Sequence, residues 1–148
     1  MTPLTRTVTP NGLTLKAPTV LLIEDYSDTR QMISLLLRRR GYNVIEAEDG
    51  LEGLQRASWE SPDLILMDLA LPEMDGIEVT RRIVAMPKLA GIPIIVLSAY
   101  LNDEVERDVR AAGCVEIFSK PFDASSFLEC IRLRLSRRTS EEQLEWAR

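Results

Sequence analysis

Val20-Leu21-Leu22-Ile23-Glu24-Asp25 is the stretch on which the fold turns: four consecutive apolar residues that run straight into two carboxylates. A short unbroken apolar run bounded by polar residues is the pattern of a strand covered on both faces, because a strand with one wet face alternates. Leu64-Ile65-Leu66-Met67 before Asp68 and Ile94-Ile95-Val96-Leu97 before Ser98 repeat the pattern. Between these runs the spacing becomes helical. Met32, Ile33, Leu36 and Leu37 recur after Ser27, a candidate N-cap, and Gly41 stops the segment. Leu51, Leu54 and Ala57 mark a second helix, and Ile77, Thr80, Ile83 and Val84 the inward side of a third. Leu101, Val105, Val109 and Ala112 mark a fourth, ending at Gly113, and Phe127, Leu128, Ile131 and Leu135 a fifth, capped by Asp123. Two more polar strands complete the series, one beginning at Val44-Ile45 and one from Val115 to Phe118.

Five strands alternating with five helices predict an α/β fold, a doubly wound five-stranded parallel sheet of flavodoxin-like type. The three apolar strands belong in its centre and the two polar ones at its edges, which fits the order 2-1-3-4-5; that order also leans on analogy with known folds. Residues 1–18 lack periodicity and are expected to form a flexible tail. Residues 19–137 make one domain, and 138–148 a short extension of the last helix or a second tail.

Among 148 residues there is no histidine. That removes Ser-His-Asp and Cys-His nucleophile pairs, imidazole bases and the usual nitrogen ligands of zinc. The balance of 18 Lys+Arg against 23 Asp+Glu, net −5, opposes binding to a phosphate backbone. The basic runs Arg38-Arg39-Arg40, Arg81-Arg82 and Arg137-Arg138 read as helix ends or solvated helix faces, so no nucleic-acid partner is expected. Cys114 and Cys130 stand apart, with no CxxC, as reduced thiols of a cytoplasmic protein would. No apolar run approaches the ~20 residues needed to cross a bilayer, and the N-terminus lacks the apolar core of a secretory signal, so no membrane association is expected.

In open α/β sheets ligands bind beyond the carboxyl ends of the strands. Those ends carry Glu24 and Asp25, then Asp68, Ser98 and Lys120, all on one rim. Clustered carboxylates raise one another's pKa and invite a hard cation with oxygen ligands, for which Mg²⁺ is the natural choice. A lysine and a hydroxyl beside it suit a phosphoryl group. Asp68 is then the candidate nucleophile, able to form an acyl phosphate, with Lys120 and Ser98 on the phosphoryl oxygens and backbone N–H groups near Ala70 and Ala99 assisting. Singly, each of these residues has an ordinary explanation as a cap, a turn residue or a solvated charge. Five such coincidences on one rim are harder to accept.

These residues resemble the receiver domain of two-component response regulators. The resemblance runs from about Thr19 to Arg137 and rests on Val20-Leu-Leu-Ile-Glu-Asp25, Pro62-Asp-Leu-Ile-Leu-Met-Asp68, Leu71-Pro72-Glu-Met-Asp-Gly76, Ser98-Ala99 and Ser119-Lys120-Pro121-Phe122. It implies that Asp68 takes phosphate from the phosphohistidine of a sensor histidine kinase or histidine phosphotransfer protein. It implies Mg²⁺ held by Glu24, Asp25, Asp68 and the Ala70 carbonyl, a cis bond between Lys120 and Pro121, and a protein target contacted through the fourth helix, fifth strand and fifth helix. Glu24 replaces the commoner aspartate of the acidic pair, and Ala70 and Tyr100 occupy positions that in the family modulate dephosphorylation. Ile117 is the main departure, standing where the family usually has a Tyr or Phe that turns inward as the Ser/Thr moves toward phosphate. The two act as the switch pair, here Ser98 and Ile117.

Three functions compete. The first is a stand-alone phosphoacceptor, monomer or weak dimer, that signals by protein contact or relay and is not a turnover enzyme; the residues after Arg137 are too few for a DNA-binding output domain. The second is a pseudo-receiver, a binding module with non-standard switching, which Ile117 keeps open. The third is a Mg²⁺-dependent aspartyl-phosphate phosphatase, against which Ala70 speaks, because such enzymes usually place a second aspartate there.

Overall fold

A computed structural model of the chain describes residues 7–8 and 14–146, with side chains described for 16–136. Of the expected tails, 1–6, 9–13 and 147–148 lie outside the described residues. Thr7–Val8 and Thr14–Leu15 pair as a two-residue antiparallel ribbon. The main sheet comprises β1 (Thr19–Ile23), β2 (Asn43–Ala47), β3 (Leu64–Asp68), β4 (Ile94–Ser98) and β5 (Glu116–Ser119). The helices are α1 (Ser27–Arg39), α2 (Gly50–Glu60), α3 (Gly76–Val84), α4 (Asp103–Ala112) and α5 (Ala124–Trp146). All strand pairs of the sheet are parallel, in the order β2-β1-β3-β4-β5. The expected order 2-1-3-4-5 is observed, with the more polar strands at the edges.

Alternation along the central strands divides the core into two layers. Leu21, Ile23, Ile65, Met67, Ile94 and Val96 face α2, α3 and α4, whereas Val20, Leu22, Leu64, Leu66, Ile95 and Leu97 face α1 and α5. Both faces of each central strand are therefore dry, which is why those strands carry no alternation in sequence.

Several residues depart from the expected helix faces. Ser27 does not cap α1: Tyr26 holds the N-cap position without a side-chain cap bond, and Ser27 is the first helical residue. Ile33 and Leu37 are buried, but Met32 is 53% exposed and Ser34 takes an inward position, its hydroxyl donating to Glu46 Oε1 at 2.9 Å. On α2 the inward face consists of Gly50, Gly53, Leu54 and Ala57, leaving Leu51 58% exposed. Small residues let this helix approach β1 so closely that a Cβ on Gly53 would stand 2.5 Å from Ile23 Cδ1. Val79, not Val84, joins Thr80 and Ile83 inside, and Thr80 is tolerated there because its hydroxyl donates to the Gly76 carbonyl at 2.7 Å. Leu101 precedes α4, whose cap is Asn102, accepting from Val105 N–H at 2.8 Å. β5 starts at Glu116, one residue after Val115.

α5 buries all four expected residues, and Asp123 caps it through Ser126 N–H at 3.0 Å. Phe127 is fully buried, with its ring 5.6 Å from that of Phe118 edge-on and 4.5 Å from that of Phe122. Phe118 lies near the end of β5 and Phe122 two residues past Lys120, so this aromatic trio ties α5 to the segment carrying the rim lysine. Phe127→Ala removes the shared ring and should cost about 3–5 kcal/mol of stability, read as a lowered urea midpoint.

Candidate functional site

The register of the sheet assembles the site. Ile23 pairs with Met67, so the next residues, Glu24 and Asp68, emerge level at the carboxyl rim. Asp68 pairs with Leu97, which brings Ser98 to the same rim, and Lys120 N–H extends the β4–β5 pairing by donating to the Ser98 carbonyl at 2.7 Å. The Lys120–Pro121 peptide bond is cis, as expected from the resemblance.

Four side chains converge. Lys120 Nζ lies 3.1 Å from Asp68 Oδ2 and 3.2 Å from Glu24 Oε2. The other Asp68 oxygen, Oδ1, accepts from Ala70 N–H at 3.0 Å. Asp25 stands exposed at the mouth, and one oxygen from each of Glu24, Asp25 and Asp68 falls within a 4.8 Å cluster. Glu24 is buried to 1% exposure and bonds directly to Lys120.

The electrostatics follow from burial. Glu24 is raised from 4.5 to about 7, first by desolvation, then by its hydrogen bond to Asp68 and that residue's charge, with Lys120 pulling the other way. For Lys120, burial opposes the charge, but Asp68 and Glu24 outweigh it and the pKa rises. One ammonium thus pairs with two of three clustered carboxylates, and the pocket keeps a surplus of negative oxygen. An all-oxygen, acid-rich donor set fits a hard divalent cation such as Mg²⁺, and Glu24, Asp25 and Asp68 are the residues that would hold it.

The remaining rim residues are placed differently. Ser98 is buried, with its hydroxyl turned to its own loop: Oγ donates to the Tyr100 carbonyl at 2.8 Å and accepts from Tyr100 N–H at 3.2 Å. Ala70 and Ala99 are exposed on the loops after β3 and β4. Ile117, on β5, is partly buried against the core layer shared with α2, α3 and α4. Tyr100 is 87% exposed.

Two residues were given no role by the sequence reading. Gly76 lies against the back of the site, where a Cβ would meet the Asp68 carbonyl oxygen at 2.7 Å and Leu69 Cα at 2.8 Å. Its N–H donates to the Leu69 carbonyl at 3.1 Å, folding the Leu71–Gly76 loop back beneath Asp68. The other is Arg30, in the first turn of α1, whose guanidinium reaches the Glu24 carbonyl at 2.9 Å. A cation in the first helical turn opposes the macrodipole, and that mismatch is the signal that could have drawn attention to it.

The family model of the response regulator receiver domain matches residues 20–132. The polar-differentiation response regulator DivK of Brucella anthropi is 36% identical over 113 residues, 76% of this chain and 92% of its own length. The chemotaxis response regulator CheY4 of Vibrio cholerae superposes with a TM-score of 0.75 at 29% identity, covering 80% of this chain and 98% of its own. The receiver domain of sensor histidine kinase PA1611 from Pseudomonas aeruginosa, solved with a magnesium ion coordinated in its active-site cleft, gives a TM-score of 0.76 at 30% identity over 81% and 98%.

Two outcomes follow from the geometry. Because the folded chain retains the Glu24 proton up to about pH 7 while the unfolded chain loses it near 4.5, this residue's contribution is fully present below 4.5 and lost as pH rises through about 7. In EDTA the urea midpoint should therefore fall across that window, and Glu24→Gln should flatten the fall. Gly76→Ala forces the backbone behind Asp68 to move, and should cost about 1–3 kcal/mol in urea unfolding while shifting the Asp68 amide resonance.

Proposed function

This chain belongs to the response regulator receiver domain family, and from that premise we propose that it accepts a phosphoryl group on Asp68 and signals through the conformational change that follows. The observation that carries the reading is the Lys120 ammonium shared between the Asp68 and Glu24 carboxylates, with Asp25 adding a third carboxylate to the oxygen cluster those two form. Members of the family are signalling modules that bind Mg²⁺ in an acidic pocket. When bound, the ion neutralises charge between carboxylates and phosphoryl oxygens.

The chain's own residues supply the rest. A carboxylate oxygen of Asp68 attacks phosphorus as the P–N bond to the donor imidazole breaks, and the imidazole leaves with the electron pair and takes up a proton. The histidine is the donor's, which is consistent with a chain that has none. Lys120 loses part of its pairing to Asp68 as that charge moves outward, and follows it to a phosphoryl oxygen. Burial strengthens that contact, and no step needs a proton held by this chain, so positioning and charge do the work. The Ala70 N–H, already on Asp68 Oδ1, remains as a further donor, and Ala99 N–H is the second backbone donor of this reading. The Ala70 carbonyl is a further proposed ligand of the ion.

The switch starts at Ser98. Its hydroxyl must leave Tyr100 to reach the phosphoryl group, which withdraws both hydrogen bonds from the loop and moves α4 and the neighbouring β5–α5 face toward a protein target. The donor in this reading is a sensor histidine kinase or histidine phosphotransfer protein, met in the cytoplasm by a monomer or weak dimer. No helix among the described residues is long and apolar enough to cross a membrane. Ile117 favours a second reading, a receiver-shaped binding module, because it lacks the aromatic ring that would report the movement of Ser98.

Incubation with phosphoramidate and Mg²⁺ should add one phosphoryl group by intact mass, hydroxylamine should remove it, and Asp68→Asn should take up none. A wild-type chain that gains no mass from phosphoramidate, nor from a phosphorylated histidine phosphotransfer protein, would be the binding module instead.

A further inference from the structure

Arg30 engages three consecutive carbonyls of the β1–α1 turn. Its backbone N–H donates to the Tyr26 carbonyl at 2.9 Å, the first bond of α1, while Nη1 donates to the Glu24 carbonyl at 2.9 Å and lies 3.3 Å from that of Asp25. Nη2 reaches Glu48 Oε1 at 3.4 Å, and Nε stands 3.9 Å from Glu46 Oε1. Glu46 is itself held by the Ser34 hydroxyl at 2.9 Å. The Arg30 side chain is 12% exposed, so it is not a solvated surface charge.

The position is electrostatically unfavourable for a cation taken alone. The first turn of a helix carries partial positive charge, and an arginine there must be compensated locally. The compensation is the Glu24 and Asp25 carbonyls on one side and two glutamates from the end of β2, Glu46 and Glu48, on the other. What the arrangement fixes is the backbone of the two residues that bring the acid pair to the rim. Glu24 is gripped from both sides, its N–H donating to the Ala47 carbonyl at 3.0 Å and its carbonyl accepting from Arg30. With the backbone so held, the Glu24 side chain leaves a fixed Cα to meet Lys120, and Asp25 is set at the mouth beside it.

We propose that Arg30 is a positioning residue for the metal-binding acid pair, a clamp that sets the β1–α1 turn so that Glu24 and Asp25 present their carboxylates beside Asp68. The planar fork is essential, because it spans the Glu24 carbonyl and Glu48 together. An ammonium is a point donor and reaches one of them. The inference rests on the reading of Glu24, Asp25 and Asp68 as the Mg²⁺ site.

The test uses the full chain, Arg30→Ala and Arg30→Lys. In metal-free protein, Arg30→Ala should move the carbonyl ¹³C resonances of Glu24 and Asp25 upfield and speed amide exchange at Glu24 at least severalfold, while exchange in β3 and α5 stays as in the wild type. Titration with Mg²⁺ alone, followed by NMR, should show affinity weakened by about 10- to 100-fold, the range typical of groups that orient a metal's ligands. Arg30→Lys, which keeps the charge, should recover only a minor part of that loss. Unchanged carbonyl shifts, unchanged Mg²⁺ affinity, exchange that rises equally everywhere, or full recovery by lysine would each overturn the clamp. A wild-type chain that binds no Mg²⁺ in the millimolar range would overturn the site reading and with it the metal role of Arg30. Metal binding that is intact in the wild type and undiminished in Arg30→Ala would overturn the clamp alone.

Discussion

The constraint on which this structure depends is the burial of two carboxylates at the end of a sheet whose faces are both dry. Glu24 and Asp68 stand level at the carboxyl ends of adjacent central strands, with the apolar core beneath them. Ionised carboxylates so close together and so far from water are costly, and the fold offsets that cost with one ammonium on the neighbouring edge. Lys120 arrives from the end of β5, bonded to both. Pairing between β4 and β5 sets its backbone, and Phe118, Phe122 and Phe127 hold the flanking chain against α5. The site is therefore a property of sheet register and of a hydrophobic cluster several residues away. Its residual negative charge is the feature on which the proposed metal site rests.

The same logic accounts for what surrounds the acids. The loop after β3 must turn back tightly so that Asp68 stays at the rim, and only a residue without Cβ fits at Gly76, between the Asp68 carbonyl and Leu69. Asp75 then caps α3 through Glu78 N–H at 2.9 Å, so the return of the chain is fixed at once by a close approach and by a cap. On the other side, α2 brings glycine and alanine to β1, which allows the helix to lie close to the strand that carries Glu24. Small residues thus govern the geometry of the acid cluster as much as charged ones do.

Much of this was legible from the chain alone. Solid apolar runs marked β1, β3 and β4, because a strand covered on both faces must be apolar throughout, and the polar residue closing each run fell on the rim by topology. The inward faces of α2 and α3 were less legible. Periodicity counts large apolar residues, whereas Gly50, Gly53 and Thr80 are buried for close approach or because a hydroxyl finds a carbonyl one turn back. Tyr26 as an uncapped helix start was hidden for a related reason: Arg30, four residues on, organises that turn through the backbone, and backbone acceptors leave no trace in sequence. The orientation of Ser98 toward Tyr100 was equally invisible, since a hydroxyl at a strand end reads the same whichever partner it takes.

That orientation bears on how such a domain stores its two states. A hydroxyl satisfied twice within its own loop gives that loop a definite minimum, and under the proposed function a phosphoryl group on Asp68 would have to compete with both bonds. In the family pattern an aromatic side chain supplies the second half of the switch; a tyrosine can occupy an inner or an outer position because its ring is apolar and its tip polar. Ile117 has no polar tip and is already packed against the α2–α4 layer. It gains nothing by moving outward, so it adds no second minimum. A two-state element needs two arrangements of comparable free energy. With Ile117 confined to one, the switch proposed for this chain would rest on the Ser98–Tyr100 loop and on how α4, which the Asn102 cap begins, follows that loop.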